Sequence, residues 1–147
     1  MMHYCGLLVL ILGGMEVSSA ACLIKPDEDG AVVIESWRTS VPANAFKGCT
    51  ALRSITLHNG INSVGMEAFR DCTALEEIVG GFPSSLEIIS TSAFRNLPRL
   101  REVKFPEDSQ LKTLETYAFL GAASITTLKL PSSLETWHGG TSKAARH

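Results

Sequence analysis

The chain has 147 residues, 45% of them apolar, and a formal net charge of -2 from 13 basic and 15 acidic side chains. That length holds one domain, and the apolar share suffices for a continuous thin core. The charges are interspersed: Arg95, Arg99, Arg101 and Lys104 lie among Glu102, Glu107 and Asp108, a solvated mixed surface rather than the basic field that nucleic-acid binding requires.

The first element is an apolar run from Cys5 to Leu12, followed by Gly13-Gly14 and then Ser18-Ser19-Ala20-Ala21, whose small residues suit cleavage near Ala20 or Ala21. This reads as a secretory signal over residues 1–22. The run falls short of the roughly 20 apolar residues of a membrane-spanning helix. A secreted or cell-surface protein with no integral membrane segment after processing is therefore expected. The leading Met1-Met2-His3-Tyr4 carries no Lys or Arg. That leaves open an uncleaved apolar segment covering the start of the fold, in a protein that stays inside the cell. Ser19-Ala20-Ala21-Cys22 is also similar to a bacterial lipobox with Cys22 lipidated, although it lacks the Leu three positions earlier. Residues 23–30, with Pro26-Asp27-Glu28-Asp29, are expected to form a polar cap or turn. The acidic triplet lacks the spaced loop of a dedicated calcium site.

From Ala31 onward the chain repeats. An Ala-Phe pair recurs at Ala45-Phe46, Ala68-Phe69, Ala93-Phe94 and Ala118-Phe119, at intervals of 23, 25 and 25 residues. A period of this size is the signature of a solenoid, in which each unit buries its apolar residues against the units before and after it. Four positions before each Ala stands an apolar residue, Val41, Val64, Ile89 and Leu114, and Trp137 begins a fifth unit. The pairs Val32 and Ile34, Ile55 and Leu57, Val103 and Phe105, and Leu128 and Leu130 alternate with the period of two of a half-buried strand. One short strand per repeat follows. After each Ala-Phe comes a compact residue and then a larger one: Cys49 and Leu52, Cys72 and Leu75, Leu97 and Leu100, Ala122 and Ile125. Phe46, Phe69, Phe94 and Phe119, with Cys49 and Cys72, are thus read as structural rungs. The two residues added in the longer units fall around Gly80-Gly81 and within 107–110, where they are expected to form loops.

Cys49 and Cys72 occupy equivalent positions of adjacent units. Strands about 4.8 Å apart would bring their Cα atoms within disulfide range, but equivalent side chains point in parallel. Two buried thiols are the favoured reading, with a Cys49–Cys72 bond as the alternative. The four histidines, His3, His58, His138 and His147, stand beside no Ser or Cys in a catalytic motif. No residue pair has metal-ligand spacing, and Gly80-Gly81 and Gly139-Gly140 read as corners rather than phosphate loops. No catalytic residue, cofactor or metal site is therefore assigned, and the chain is read as a non-enzyme. What remains for function is the outward side of the strands: Ser54, Thr56 and His58, then Glu77 and Val79, then Glu102 and Lys104, then Thr127 and Lys129. Their mixed, short side chains suit recognition of an extended protein segment of unknown identity.

The unit running from Leu52-Arg-Ser-Ile-Thr-Leu57 through Ile61, Val64-Gly65 and Ala68-Phe69 to Cys72-Thr-Ala-Leu75 resembles the BspA-type leucine-rich repeat. The resemblance covers residues 31–137. It implies an α/β-type repeat solenoid, a short curved leucine-rich-repeat array of about four and a half coils, and a role in protein recognition or adhesion. Arg38 departs from the pattern by standing where an apolar residue is expected. After Trp137 no Ala-Phe follows, and residues 138–147 read as a disordered tail. Leu128, Leu130, Leu134 and Trp137 would then form an exposed apolar edge. Self-association through that C-terminal coil, Trp137 folded across it as a cap, and a fragment of a longer gene all remain open.

Overall fold

The computed structural model describes residues 22–138, so the leader before Cys22 and the tail after His138 lie outside the described residues. Eight short strands run in chain order: β1 (Ala31–Val33), β2 (Ser40–Val41), β3 (Ser54–Thr56), β4 (Ser63–Val64), β5 (Glu77–Val79), β6 (Ile88–Ile89), β7 (Thr113–Leu114) and β8 (Thr136–Trp137). They pair in parallel as two sheets, β1-β3-β5 and β2-β4-β6-β7-β8. Among the described residues there is no helix. The expected strand ladder is present in the first three coils, with Val32, Ile55 and Ile78 in one register row. A second ladder lies at the apolar position four before each Ala, where Val41, Val64, Ile89, Leu114 and Trp137 pair in succession. The repeat alignment thus coincides with hydrogen-bond register, and the result is a parallel solenoid of about five coils.

The core is one stack. Phe46, Phe69, Phe94 and Phe119 are fully buried, with successive ring centroids 5.1, 5.0 and 5.3 Å apart and planes within 12° of parallel. A coil-to-coil step of about 4.8 Å sets that spacing, since equivalent side chains must repeat at the same interval as the backbone. The backbone follows suit: the N–H groups of Phe46, Phe69 and Phe94 donate to the carbonyls of Ala68, Ala93 and Ala118. Cys72, Leu97 and Ala122, the compact rungs, have no exposure at all.

Each coil turns twice through left-handed backbone. The first corner directly precedes Ala-Phe, at Asn44, Glu67, Ser92 and Tyr117, with φ between 54° and 61°. The second lies two residues after the Phe, at Gly48, Asp71, Asn96 and Gly121. Glu67 is held at its corner by ion pairs to Lys47 and Arg70, and hydrogen bonds from these two cations keep its carboxyl below the usual range.

At the N-terminus the stack reaches back before Ala31. Leu23 N–H donates to Ala45 O, as Phe46 does to Ala68 one coil later, and Arg53 N–H donates to Gly30 O, as Glu76 does to Arg53. Residues 22–30 therefore lie in the register of 45–53 and form a half coil over the first Phe. Asp27 shapes its turn by accepting from the N–H groups of Asp29 and Ala31. Cys22 closes it with a disulfide to Cys49, the Cα atoms 5.5 Å apart. This corrects the reading of two buried thiols: Cys49 is bonded, and its partner is Cys22 rather than the Cys72 of the alternative. The half coil turns the Cys22 side chain toward the first coil, whereas the equivalents Cys49 and Cys72 project side by side. Among the described residues Cys72 is the free cysteine, and it is buried, its Sγ–H donating to Phe46 O. Lipidation of Cys22 would need the sulfur that the disulfide already occupies.

Phe69→Ala removes a ring stacked on both sides and should cost about 3–5 kcal/mol in denaturant unfolding; an unchanged midpoint would refute the register. The Cys22–Cys49 bond spans 27 residues of sequence, so reduction should cost about 3.5 kcal/mol. Cys22→Ser should make stability insensitive to reductant while Cys72→Ala leaves that sensitivity intact, and the opposite pattern would reassign the pair.

Candidate functional site

The three-stranded sheet has two unlike sides. Val32, Ile55 and Ile78 face the core, so their neighbours Ala31, Ser54 and Glu77, and Val33, Thr56 and Val79, form two outward rows in the same register. Val33 is 67% exposed and Val79 42%. Five of the expected site residues thus stand on or beside this sheet: Ser54, Thr56, Glu77 and Val79 on its strands, and His58 just past β3.

His58 is structural. Its Nδ1 accepts from Gly60 N–H at 2.9 Å, which leaves Nε2–H to donate to Glu35 O at 3.0 Å. The ring closes its own turn and ties the second coil to the first. Arg38, the misfit of the sequence pattern, stands where Ile61 is buried one coil later; its guanidinium pairs with Glu35 and lies 4.4 Å from the centre of the Trp37 ring. Trp37 is 69% exposed. Neither Val33 nor Trp37 was among the expected site residues. For Val33 a signal exists, because alternation with Val32 and Ile34 makes it the outward member of an apolar run.

Beyond β5 the sheet opens. Arg101 N–H still donates to Glu76 O at 3.1 Å, and Phe82 N–H donates to Lys104 O at 2.9 Å. Between those points the stretch from Glu76 to Phe82 lies against the much shorter stretch from Arg101 to Lys104, and the surplus bulges at Gly80-Gly81. Both glycines have left-handed φ, 76° and 83°. At Gly81 a Cβ would come within 2.9 Å of Lys104 O. The expected loop is therefore also a plug. Phe82, at its end, is buried, its ring edge-on to Phe94 at 5.3 Å and stacked on Phe105 at 4.9 Å. Phe82 thus keeps the third coil stacked on the fourth, and it is the bulge at Gly80-Gly81 that interrupts the strand ladder on this face, while β6 and β7 stay paired on the other.

The opening leaves two joined depressions, of about 460 and 630 Å³, which share Gly80, Glu102 and Lys104. Ser54 and Glu77 line the first, Thr127 and Lys129 the second. Six of the nine expected site residues are thus brought together around the gap. Glu102 and Lys104 pair at 2.9 Å, and Arg101 lies 3.5 Å from Glu76. The backbone N–H groups of Glu102, Val103 and Lys104 have no hydrogen-bond partner among the described residues. Burial pushes the Cys72 thiol up to about 12, so it stays protonated at neutral pH. Among the described residues no three His, Cys, Asp or Glu are grouped to hold a metal ion, and no helix is long and apolar enough to cross a membrane.

Parallel coils of 23 to 25 residues, one Phe rung each, and an outward strand face define a leucine-rich-repeat solenoid. The family model for the BspA type leucine rich repeat region matches residues 31–141 with six copies. The chain belongs to the BspA-type leucine-rich repeat family. Among solved structures it is similar to a leucine-rich repeat protein of T. pallidum (TpLRR), with 28% identity and a TM-score of 0.68 over 73% of this chain and 50% of that one. A leucine-rich repeat protein from Bacteroides ovatus is similar with 31% identity and a TM-score of 0.62, over 71% of this chain and 26% of that one. The chain thus spans half the length of the first and about a quarter of the second. No curated protein matches it.

Proposed function

We propose that the protein is a non-catalytic recognition or adhesion module, secreted or held at the cell surface, which binds a protein partner with its outward strand face. The observation that carries this reading is the division of one sheet into a fully packed inner side and an open outer side, with six of the expected site residues around the gap beyond β5. A parallel array sacrifices none of its packing when outward residues change, so the face is free to be specialised. The catalytic alternatives lack a reactive group on this face: its imidazole is occupied at both nitrogens, and the free thiol is buried and protonated.

The Cys22–Cys49 disulfide supports export, since such bonds persist in oxidising compartments. It also fits processing near Ala20 or Ala21, which leaves Cys22 in the mature chain; a mature N-terminus beyond Cys22 would contradict this. A second reading, self-association through the C-terminal coil, is favoured by the outer edge of β8, where Trp137 continues the sheet and is 44% exposed. If it holds, the mass of the full chain by light scattering rises with concentration and Trp137→Glu abolishes the rise; a constant mass excludes it.

The first reading is tested with the full chain as bait in cross-linked capture from cell-surface protein extracts, beside a triple variant carrying Thr56→Arg, Lys104→Glu and Lys129→Glu. All three positions are outward, so the circular dichroism spectrum and Tm should be unchanged while the captured species are lost. Undiminished capture would move the site to the corners or the opposite face.

A further inference from the structure

The outward row that begins with Val33, Thr56 and Val79 changes chemistry along its length. Arg101 stands to Glu76 as Glu76 stands to Arg53 in the backbone ladder, which puts Glu102 after Glu77; past the bulge Phe82 N–H donates to Lys104 O, which sets Lys104 beside Gly81, two residues beyond Val79. Thr127 and Lys129 follow one coil further on. This side of the face thus carries Val33, Thr56 and Val79 over three coils, two of them apolar, and beyond the bulge the cationic Lys104 and Lys129, which line one depression. The parallel row reads Ala31, Ser54, Glu77, Glu102, Thr127, with its acids in the middle. Lys104 is partly neutralised by Glu102, whereas Lys129 has no ion-pair partner among the described residues.

We infer that this row receives an extended protein segment lying across the strands, with β-branched or other apolar side chains over Val33 and Val79 and a carboxylate against Lys104 and Lys129. The inference rests on the strand-face reading above and names the chemistry of its partner. Charge complementarity selects the acid: a cationic end would meet two lysines, and a segment displaced by one row would bring its carboxylate against Glu77 and Glu102 instead. Geometry sets the length. Four coil steps of about 4.8 Å set a minimum of roughly 19 Å, which the widened seam lengthens, so an extended chain at about 3.3 Å per residue needs about six residues or more. The N–H groups of Glu102, Val103 and Lys104, unpaired among the described residues, lie on the stretch that borders the widened seam and offer donors to the same carboxylate or to the backbone beside it.

The test uses the full chain and dye-labelled hexapeptides followed by fluorescence anisotropy. One peptide carries two valines at one end and two glutamates at the other, a second replaces the glutamates by lysines, and a third replaces the valines by serines. The first should bind about tenfold tighter than the second, in line with two partly exposed charge pairs, and the preference should shrink as salt rises. In a Lys104→Glu, Lys129→Glu variant it should invert, and Val33→Ser with Val79→Ser should abolish the advantage of the first peptide over the third. If the three peptides bind alike but Thr56→Arg still removes their binding, the inferred chemistry is overturned and the strand-face reading stands. Binding indifferent to every substitution overturns both. If no peptide binds, the inference fails, and the strand face is judged by the capture experiment alone.

Discussion

The Phe rungs of this core are each buried against their own equivalents one coil away. This constraint governs the rest of the molecule. A ring at Phe69 is covered by Phe46 on one side and Phe94 on the other, so no rung can change size without opening a gap at two interfaces. The same demand reaches the backbone. If Phe rings repeat at about 5 Å, the corners beside them must repeat too, and each coil bends through left-handed backbone at the same two places whether the residue there is Asn, Glu, Ser, Tyr, Asp or Gly. Such conformations cost a non-glycine residue on the order of 1 kcal/mol each. They persist because the stack over-determines them.

Where a unit carries two extra residues, the stack has two ways to absorb them, and it keeps the Phe ladder while sacrificing the strand ladder. Phe82 turns inward and stacks on Phe105, so the rung is kept past the two extra residues. The outer sheet ends at β5 while the other sheet runs through to β8. The widened seam, with its unpaired amides and the change from valines to lysines, is therefore a consequence of core packing. An interior strand edge in a sheet-rich protein is ordinarily an invitation to uncontrolled pairing. Here both ends of the gap are tied by backbone hydrogen bonds and its rim is charged, which disfavours pairing with an apolar strand edge.

The period and the register were legible because the rung positions repeat in side-chain size, and size is what stacking selects. The outward face was legible for the same reason in reverse, since alternation marks it wherever the inward residues are clear. The turn-closing bonds of His58 were not legible, because a polar residue on that face gives no sign of which backbone groups it will meet. The N-terminal half coil was hidden: Cys22-Leu23 bears no likeness to Ala-Phe, and its placement shows only in the backbone bonds of Leu23 and Gly30. With it went the disulfide, because a cysteine assigned to a leader was not available to pair. Phe82 gave a signal in hindsight, a large apolar residue directly after two glycines, but nothing in the pattern said whether the insertion would bulge outward or plug the core.

The most direct test of this account is amide hydrogen exchange on the full chain, read residue by residue. If the coils are continuous through the Phe rungs and parted at the seam, the amides of Phe46, Phe69 and Phe94 should be among the slowest to exchange. Those of Glu102, Val103 and Lys104 should exchange within the fastest class of the described residues and slow when an acidic, valine-bearing segment is bound. Protection at Glu102 to Lys104 in the free protein equal to that of Ile55 and Ile78 would mean that the outer sheet is unbroken, and the site described above would not exist.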